Sequence, residues 1–207
     1  NKIFFKEGNS KFFLFDADNY CFDKDAFSVE KLTNDKKKYL FVNYTDDCNP
    51  SGKYEIFDIS EKKAEKLYLS PLYDPEVDSN KKQIIEKFKD GAISYTRIYA
   101  LKNGKYYLLE ELKTLDSDLN LSIVYSGKSP IFSLKNDSNQ LIKDIEVSSS
   151  KAYFFDENLV KTKSYIVRGD KVTVNNLMKK NNLIYMKVEF QSKNKITKGY
   201  IKLSDIL

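Results

Sequence analysis

Three groups of side chains have the types and spacing for chemistry: the adjacent carboxylates Glu110-Glu111, the oxygen-rich stretch Asp16, Asp18, Asn19, Asp23 and Asp25, and the cysteines Cys21 and Cys48. Two carboxylates can run acid–base chemistry when both face one bond. Neighbouring residues of a strand point to opposite faces, so Glu110 and Glu111 do not share a site and read as a solvated strand end. Hard oxygen ligands at alternating positions coordinate calcium, but the central glycine and closing glutamate of an EF-hand loop are both missing. The stretch reads as an acidic solvated loop, with a partner-facing patch or a calcium site as alternatives.

Composition narrows the chemistry further. The 207-residue chain has no histidine. That removes the usual general base, the commonest zinc ligand and every Ser-His-Asp or Cys-His arrangement. Two cysteines cannot build a four-thiolate zinc site. No catalytic residue, metal or cofactor is assigned, and the chain reads as non-enzymatic.

Both cysteines stand beside acidic and polar residues (Asp23, Asp46, Asp47, Asn49), whereas a buried reduced cysteine normally has apolar sequence neighbours. The reading favours a Cys21–Cys48 disulfide over two independent thiols. Such a bridge would contribute about 3–4 kcal/mol and implies an oxidising compartment. The sequence opens at Asn1 with no positive-then-apolar segment. The expected location is therefore periplasmic or extracellular, after removal of a signal peptide. No apolar run reaches 18 residues, so no spanning helix is expected.

Charge is shared unevenly. Residues 1–150 carry 23 basic and 25 acidic side chains, whereas residues 151–207 carry 12 and 5, net +7. Only Arg97 and Arg168 are arginines, and arginine is the preferred fork for phosphate and base edges, so no sequence-specific nucleic acid is expected. An acidic partner suits the C-terminal part better.

The elements that must carry these residues read as strands. IFF and KFFLF flank the turn Glu7-Gly8-Asn9-Ser10 as a hairpin. Residues 38–44 (KYLFVNY) and 53–59 (KYEIFDI) flank Asn49-Pro50-Ser51-Gly52, and 64–69 should pair with the latter. Residues 81–89 (KKQIIEKFK) fit either a helix stripe or a strand ended by Asp90-Gly91. Asn103-Gly104 between SYTRIYAL and KYYLL is the strongest hairpin signal. Residues 114–149 read as an ordered connecting segment.

The last stretch has a recognisable series. KAYFF opens it at Lys151–Phe155. Tyr165-Ile166-Val167-Arg168-Gly169-Asp170-Lys171-Val172 follows, then Tyr185-Met186-Lys187-Val188-Glu189-Phe190, then Thr197-Lys198-Gly199-Tyr200-Ile201 and Asp205-Ile206. Residues 150–207 thereby resemble bacterial SH3-like (SH3b) domains, and the resemblance implies a small barrel. Tyr185 and Tyr200 stand where that family often carries tryptophan, which implies a narrower and more polar groove. Arg168-Gly169-Asp170 spells an adhesion tripeptide but falls where such a barrel needs a turn, Gly169 supplying the conformation and Asp170 bonding backbone N–H groups. The N-terminal part more faintly resembles small β-rich bacterial envelope proteins, some of which inhibit lysozymes, through the hairpin at Tyr95–Leu109, Asp90-Gly91 and the two cysteines.

The fold expected is mainly β: a β-rich domain of hairpin units over 1–113, the connecting segment 114–149, and an SH3-like barrel over 150–207. On the 183–190 strand Tyr185 faces away from Ile184, Met186, Val188 and Phe190. Tyr185, Tyr200 and either Tyr153 or Tyr165, flanked by Lys187 and Lys198, are the candidate partner-binding residues, unless the preceding domain covers them. The function expected is a non-enzymatic envelope binding protein, an inhibitor or immunity protein that blocks a toxin or cell-wall hydrolase. The alternative is a module that binds cell-wall peptide or peptidoglycan.

Overall fold

Aromatic and β-branched runs broken by short polar turns favour antiparallel hairpins. The computed structural model describes residues 2–32, 37–46, 52–61, 63–69, 71–193 and 195–207. It is mainly β, with 62% strand and 2% helix. The chain divides into two compact units, Asn1–Leu109 and Glu110–Leu207.

In the first unit, β1 (Lys2–Glu7) and β2 (Ser10–Asp16) form the expected hairpin. Its tight turn is possible because Gly8 takes φ +58°, a region side chains disfavour. A second sheet follows, built from β3 (Tyr20–Cys21), β4 (Phe27–Glu30), β5 (Tyr39–Asp46), β6 (Lys53–Asp58), β7 (Glu65–Lys66) and β8 (Leu72–Tyr73). β5 is apolar along most of its length because both of its faces are covered. Tyr39 and Phe41 join one core with Leu32, Ile56, Leu72, Ile84 and Tyr106, while Leu40 and Val42 join another with Leu14, Phe57 and Ile59.

The ambiguous segment at 81–89 is a strand. β9 (Glu76–Asp78) and β11 (Ile93–Lys102) flank β10 (Gln83–Asp90) on its two sides. The turn at Asp90-Gly91, with Gly91 at φ +59°, joins β10 to β11. Asn103-Gly104 then leads from β11 into β12 (Lys105–Asp116), both residues having positive φ as a two-residue hairpin turn requires. On β10 the buried Glu86 carboxylate accepts the Tyr73 backbone N–H at 3.0 Å and the Tyr99 hydroxyl at 3.0 Å, with Arg97 Nη1 3.8 Å away. Burial, and then the Glu86 charge, push the Tyr99 hydroxyl well above the ordinary tyrosine range.

The second unit starts within β12. It continues through β13 (Leu119–Val124), β14 (Ile131–Lys135), β15 (Asp144–Glu146), β16 (Ala152–Phe155), β17 (Lys161–Ile166), β18 (Lys171–Lys180), β19 (Leu183–Gln191) and β20 (Ile196–Lys202). A 3-10 turn, Leu203–Asp205, follows. Within this unit the strands run β17-β16-β20-β19-β18-β14-β13-β12, all antiparallel, with β15 beside β18. Leu119, Leu121, Leu134 and Val147 share one core with Phe154, Ile166, Met186, Val188 and Ile201. The stretch 114–149 thus supplies part of the hydrophobic interior that residues 150–207 use, and the C-terminal strands do not bury their apolar face alone.

One expectation is met in part and one is corrected. Cys21 is disulfide-bonded and not a free thiol. Cys21 lies on β3 opposite Thr45, and Cys48 lies outside the described residues, as does the turn expected at Asn49-Pro50-Ser51. Glu110 is not a solvated strand end. Its side chain is 13% exposed, and its Oε1 accepts the Lys135 ammonium and the Ser122 hydroxyl, each at 2.6 Å. Glu110 and Glu111 alternate across the strand, and both are half-buried.

Candidate functional site

Alternation along three neighbouring strands builds the site. On β16, Ala152 and Phe154 point into the core, which turns Tyr153 and Phe155 to the opposite face. On β19, Met186 and Val188 point inward and Tyr185, Lys187 and Glu189 outward; on β20, Ile201 points inward and Lys198, Tyr200 and Lys202 outward. Register then sets the neighbours: Phe155 opposite Tyr200, Tyr200 opposite Lys187, Lys198 opposite Glu189, and Tyr153 opposite Tyr165 of β17. The outer face of β16, β17, β19 and β20 is a sheet of tyrosines and lysines.

The side chains on that face fall into two clusters. In the first, Tyr185 meets the Phe155 ring edge-on at 5.4 Å, and Lys202 stands 5.6 Å from the Phe155 centroid. Glu157 reaches over from the loop after β16. It accepts from Lys187 Nζ at 3.1 Å and from the Tyr200 hydroxyl at 3.4 Å. The loop that carries Glu157 is tied by Asp156, whose Oδ1 accepts the backbone N–H groups of Asn158 and Val160. The bond to Glu157 holds the Lys187 ammonium above the usual lysine range. Lys198 pairs with Glu189 at 2.9 Å, and that bond holds the Glu189 carboxyl below its usual range. Tyr185 and Tyr200 are each only 8% exposed. Glu157, Lys187 and Tyr200 are thus bonded to one another and Lys198 to Glu189, whereas Lys202 has no carboxylate in ion-pair distance among the described residues.

The second cluster is open. Tyr153 and Tyr165 pack at 5.7 Å, and Tyr165 is 48% exposed. Lys161 Nζ sits 3.4 Å from the Tyr153 centroid and Lys151 Nζ 5.0 Å from the Tyr165 centroid. Neither ammonium has a carboxylate within ion-pair distance among the described residues. Cation–π contact holds such a charge in place without neutralising it. Of the six residues predicted for binding, Tyr153 and Tyr165 therefore stand in the open cluster, while Tyr185, Lys187, Lys198 and Tyr200 stand in the braced one beside it. Lys151, Lys161, Phe155 and Glu157 were missed. The Tyr153-x-Phe155 alternation could have found Phe155, but no local signal places Glu157 over Tyr200, 43 positions away.

The braced cluster depends on a close approach. A Cβ on Gly199 would lie 3.0 Å from both the Phe154 ring and the Phe155 carbonyl oxygen, so only glycine lets β20 lie this near β16. The Arg168-Gly169-Asp170 tripeptide is a turn, as expected. Gly169 has φ +89°, Asp170 Oδ2 accepts the Val167 N–H at 2.8 Å, and Arg168 Nε donates to the Ser148 carbonyl at 2.7 Å. Among the described residues, no three potential metal-ligating side chains converge, at Asp16–Asp25 or elsewhere. No described helix is long and apolar enough to cross a membrane.

Comparison with protein-family models, with curated proteins and with solved structures finds no match to this chain.

Proposed function

We propose that this chain is a non-enzymatic binding protein that receives an acidic partner protein on the tyrosine-and-lysine face of its C-terminal unit. The observation that supports it is the open cluster: two ammonium groups held over tyrosine rings with no carboxylate in reach among the described residues. Tyrosine supplies rigid contact area, and unneutralised lysine steers and selects a carboxylate-bearing surface. In this reading β16 to β20 form an SH3-like module. The aromatic opening on β16, the Gly169-Asp170 turn before β18 and the Gly199-Tyr200-Ile201 run on β20 support it. The partner is a toxin or cell-wall hydrolase, the block is steric, and the setting is extracytoplasmic.

Affinity capture from an envelope extract, run in parallel on the wild type and on Lys151→Glu/Lys161→Glu, tests this. The expected result is a protein retained by the wild type, confirmed with purified partner, and bound at least tenfold more weakly by the variant. Equal retention by the variant would remove the face from the account. Co-sedimentation of the wild type with purified insoluble peptidoglycan would transfer the reading to a wall-binding module.

A further inference from the structure

β17 ends its sheet: β16 lies on one side of it, and no described strand pairs with the other. Along it Thr162 and Ile166 turn towards the interior, the Thr162 hydroxyl donating to the Phe154 carbonyl at 3.0 Å. Lys161, Lys163 and Tyr165 alternate on the exposed face. At the bulge opposite Phe154 the Ser164 backbone N–H donates to the same Thr162 hydroxyl at 3.2 Å, which links it to β16. Beside the edge lies a cleft of about 300 Å3, lined by Phe154, Ser164, Tyr165, Ile166, Phe190 and Thr197.

The acids of the two loops that flank β17 are engaged elsewhere, Asp156 by the N–H groups of its own loop, Glu157 by Lys187 and Tyr200, and Asp170 by the Val167 N–H. Lys163, like Lys151 and Lys161, has no carboxylate in ion-pair distance among the described residues. Edge lysines commonly protect a sheet against pairing with copies of itself. Here the same charges have a second consequence: they repel a lysine-bearing strand and favour an acidic one, which is selection by sign.

We infer that β17 is a docking edge for an extended acidic segment of the partner, which adds as one more strand. Carboxylates at two alternate positions meet Lys161 and Lys163, and an apolar or aromatic side chain meets Tyr165 beside the cleft. Main-chain pairing supplies the affinity and the alternating side chains the specificity. This deepens the binding role proposed above and rests on it.

The probe is a capped synthetic peptide containing Glu-Val-Glu-Val-Tyr, titrated into the 15N-labelled full chain. The amides of Lys161–Ile166 should shift, and hydrogen exchange at the β17 amides that face away from β16 should slow at least tenfold at saturation. A peptide of the same composition ordered Glu-Glu-Val-Val-Tyr should bind at least tenfold more weakly. So should a form N-methylated at the amides that face β17, since it keeps every charge but cannot pair. Lys161→Glu/Lys163→Glu should abolish binding with an unchanged tyrosine circular dichroism spectrum. Equal binding of the permuted or N-methylated peptide would reduce the contact to simple charge attraction and overturn the inference. If no peptide binds but a partner is still lost by Lys151→Glu/Lys161→Glu, the edge mode falls and the face remains.

Discussion

Gly199→Ala puts a single methyl group at the joint that brings the two tyrosine clusters together. Its Cβ would meet the Phe155 carbonyl oxygen and the Phe154 ring at 3.0 Å. A ring at the edge of a core can tilt, but a backbone oxygen moves only with its strand, so β16 and β20 must separate. Overpacking of this kind costs about 1–3 kcal/mol. Lowering the entropy of the unfolded chain returns roughly 0.4–1 kcal/mol. The net loss is about 1–2 kcal/mol, which for a unit of roughly a hundred residues lowers the melting temperature by about 4–15 °C. The assay is thermal unfolding followed by tyrosine circular dichroism. Gly127→Ala is the control, because a Cβ there meets nothing within 4 Å and its φ is not left-handed; it should change stability by less than about 0.5 kcal/mol. A Gly199→Ala protein that melts at or above the wild-type temperature would show that β16 does not lie against β20, and the shared face would dissolve with it.

Two further outcomes test the frame. Lys135→Ala strands the Glu110 carboxylate, 13% exposed, without its 2.6 Å partner, and should cost about 2–4 kcal/mol in urea unfolding, most of it recovered by adding Glu110→Gln. At Asp58 burial raises the carboxyl pKa, but hydrogen bonds from Ser60 and Lys37 outweigh it, so the folded value lies below the ordinary 3.8. Its stabilisation is present above that pH and is lost as the pH falls through the folded value; Asp58→Asn should melt below wild type at pH 6 and converge with it near pH 2.

Local turn chemistry made most hairpins legible. Gly8-Asn9, Asp90-Gly91 and Asn103-Gly104 each sit where positive φ is required, and each joins the strands that the flanking aromatic runs predict. At 81–89 the spacing of Ile84, Ile85 and Phe88 suited a helix as well as a strand; pairing with β9 and β11, which only the folded chain provides, decided it. The same limit explains Glu110 and Glu86. A carboxylate becomes buried through Lys135 or through Arg97 and Tyr99 on other strands, and no run of neighbouring residues encodes that. The site was half legible. Period-two alternation put Tyr185 and Lys187 on the outer face, but register decided which lysines would be neutralised. Glu157 and Glu189 claim Lys187 and Lys198, whereas Lys151 and Lys161 are left over tyrosines.

The most direct test of the binding role is lysine acylation read by mass spectrometry, on the protein alone and on the protein saturated with purified partner. Lys151, Lys161 and Lys163 should each lose at least fivefold in labelling on saturation, while the exposed lysines of the N-terminal unit label as before. Unchanged labelling of those three, with protection falling on the N-terminal unit instead, would contradict the account.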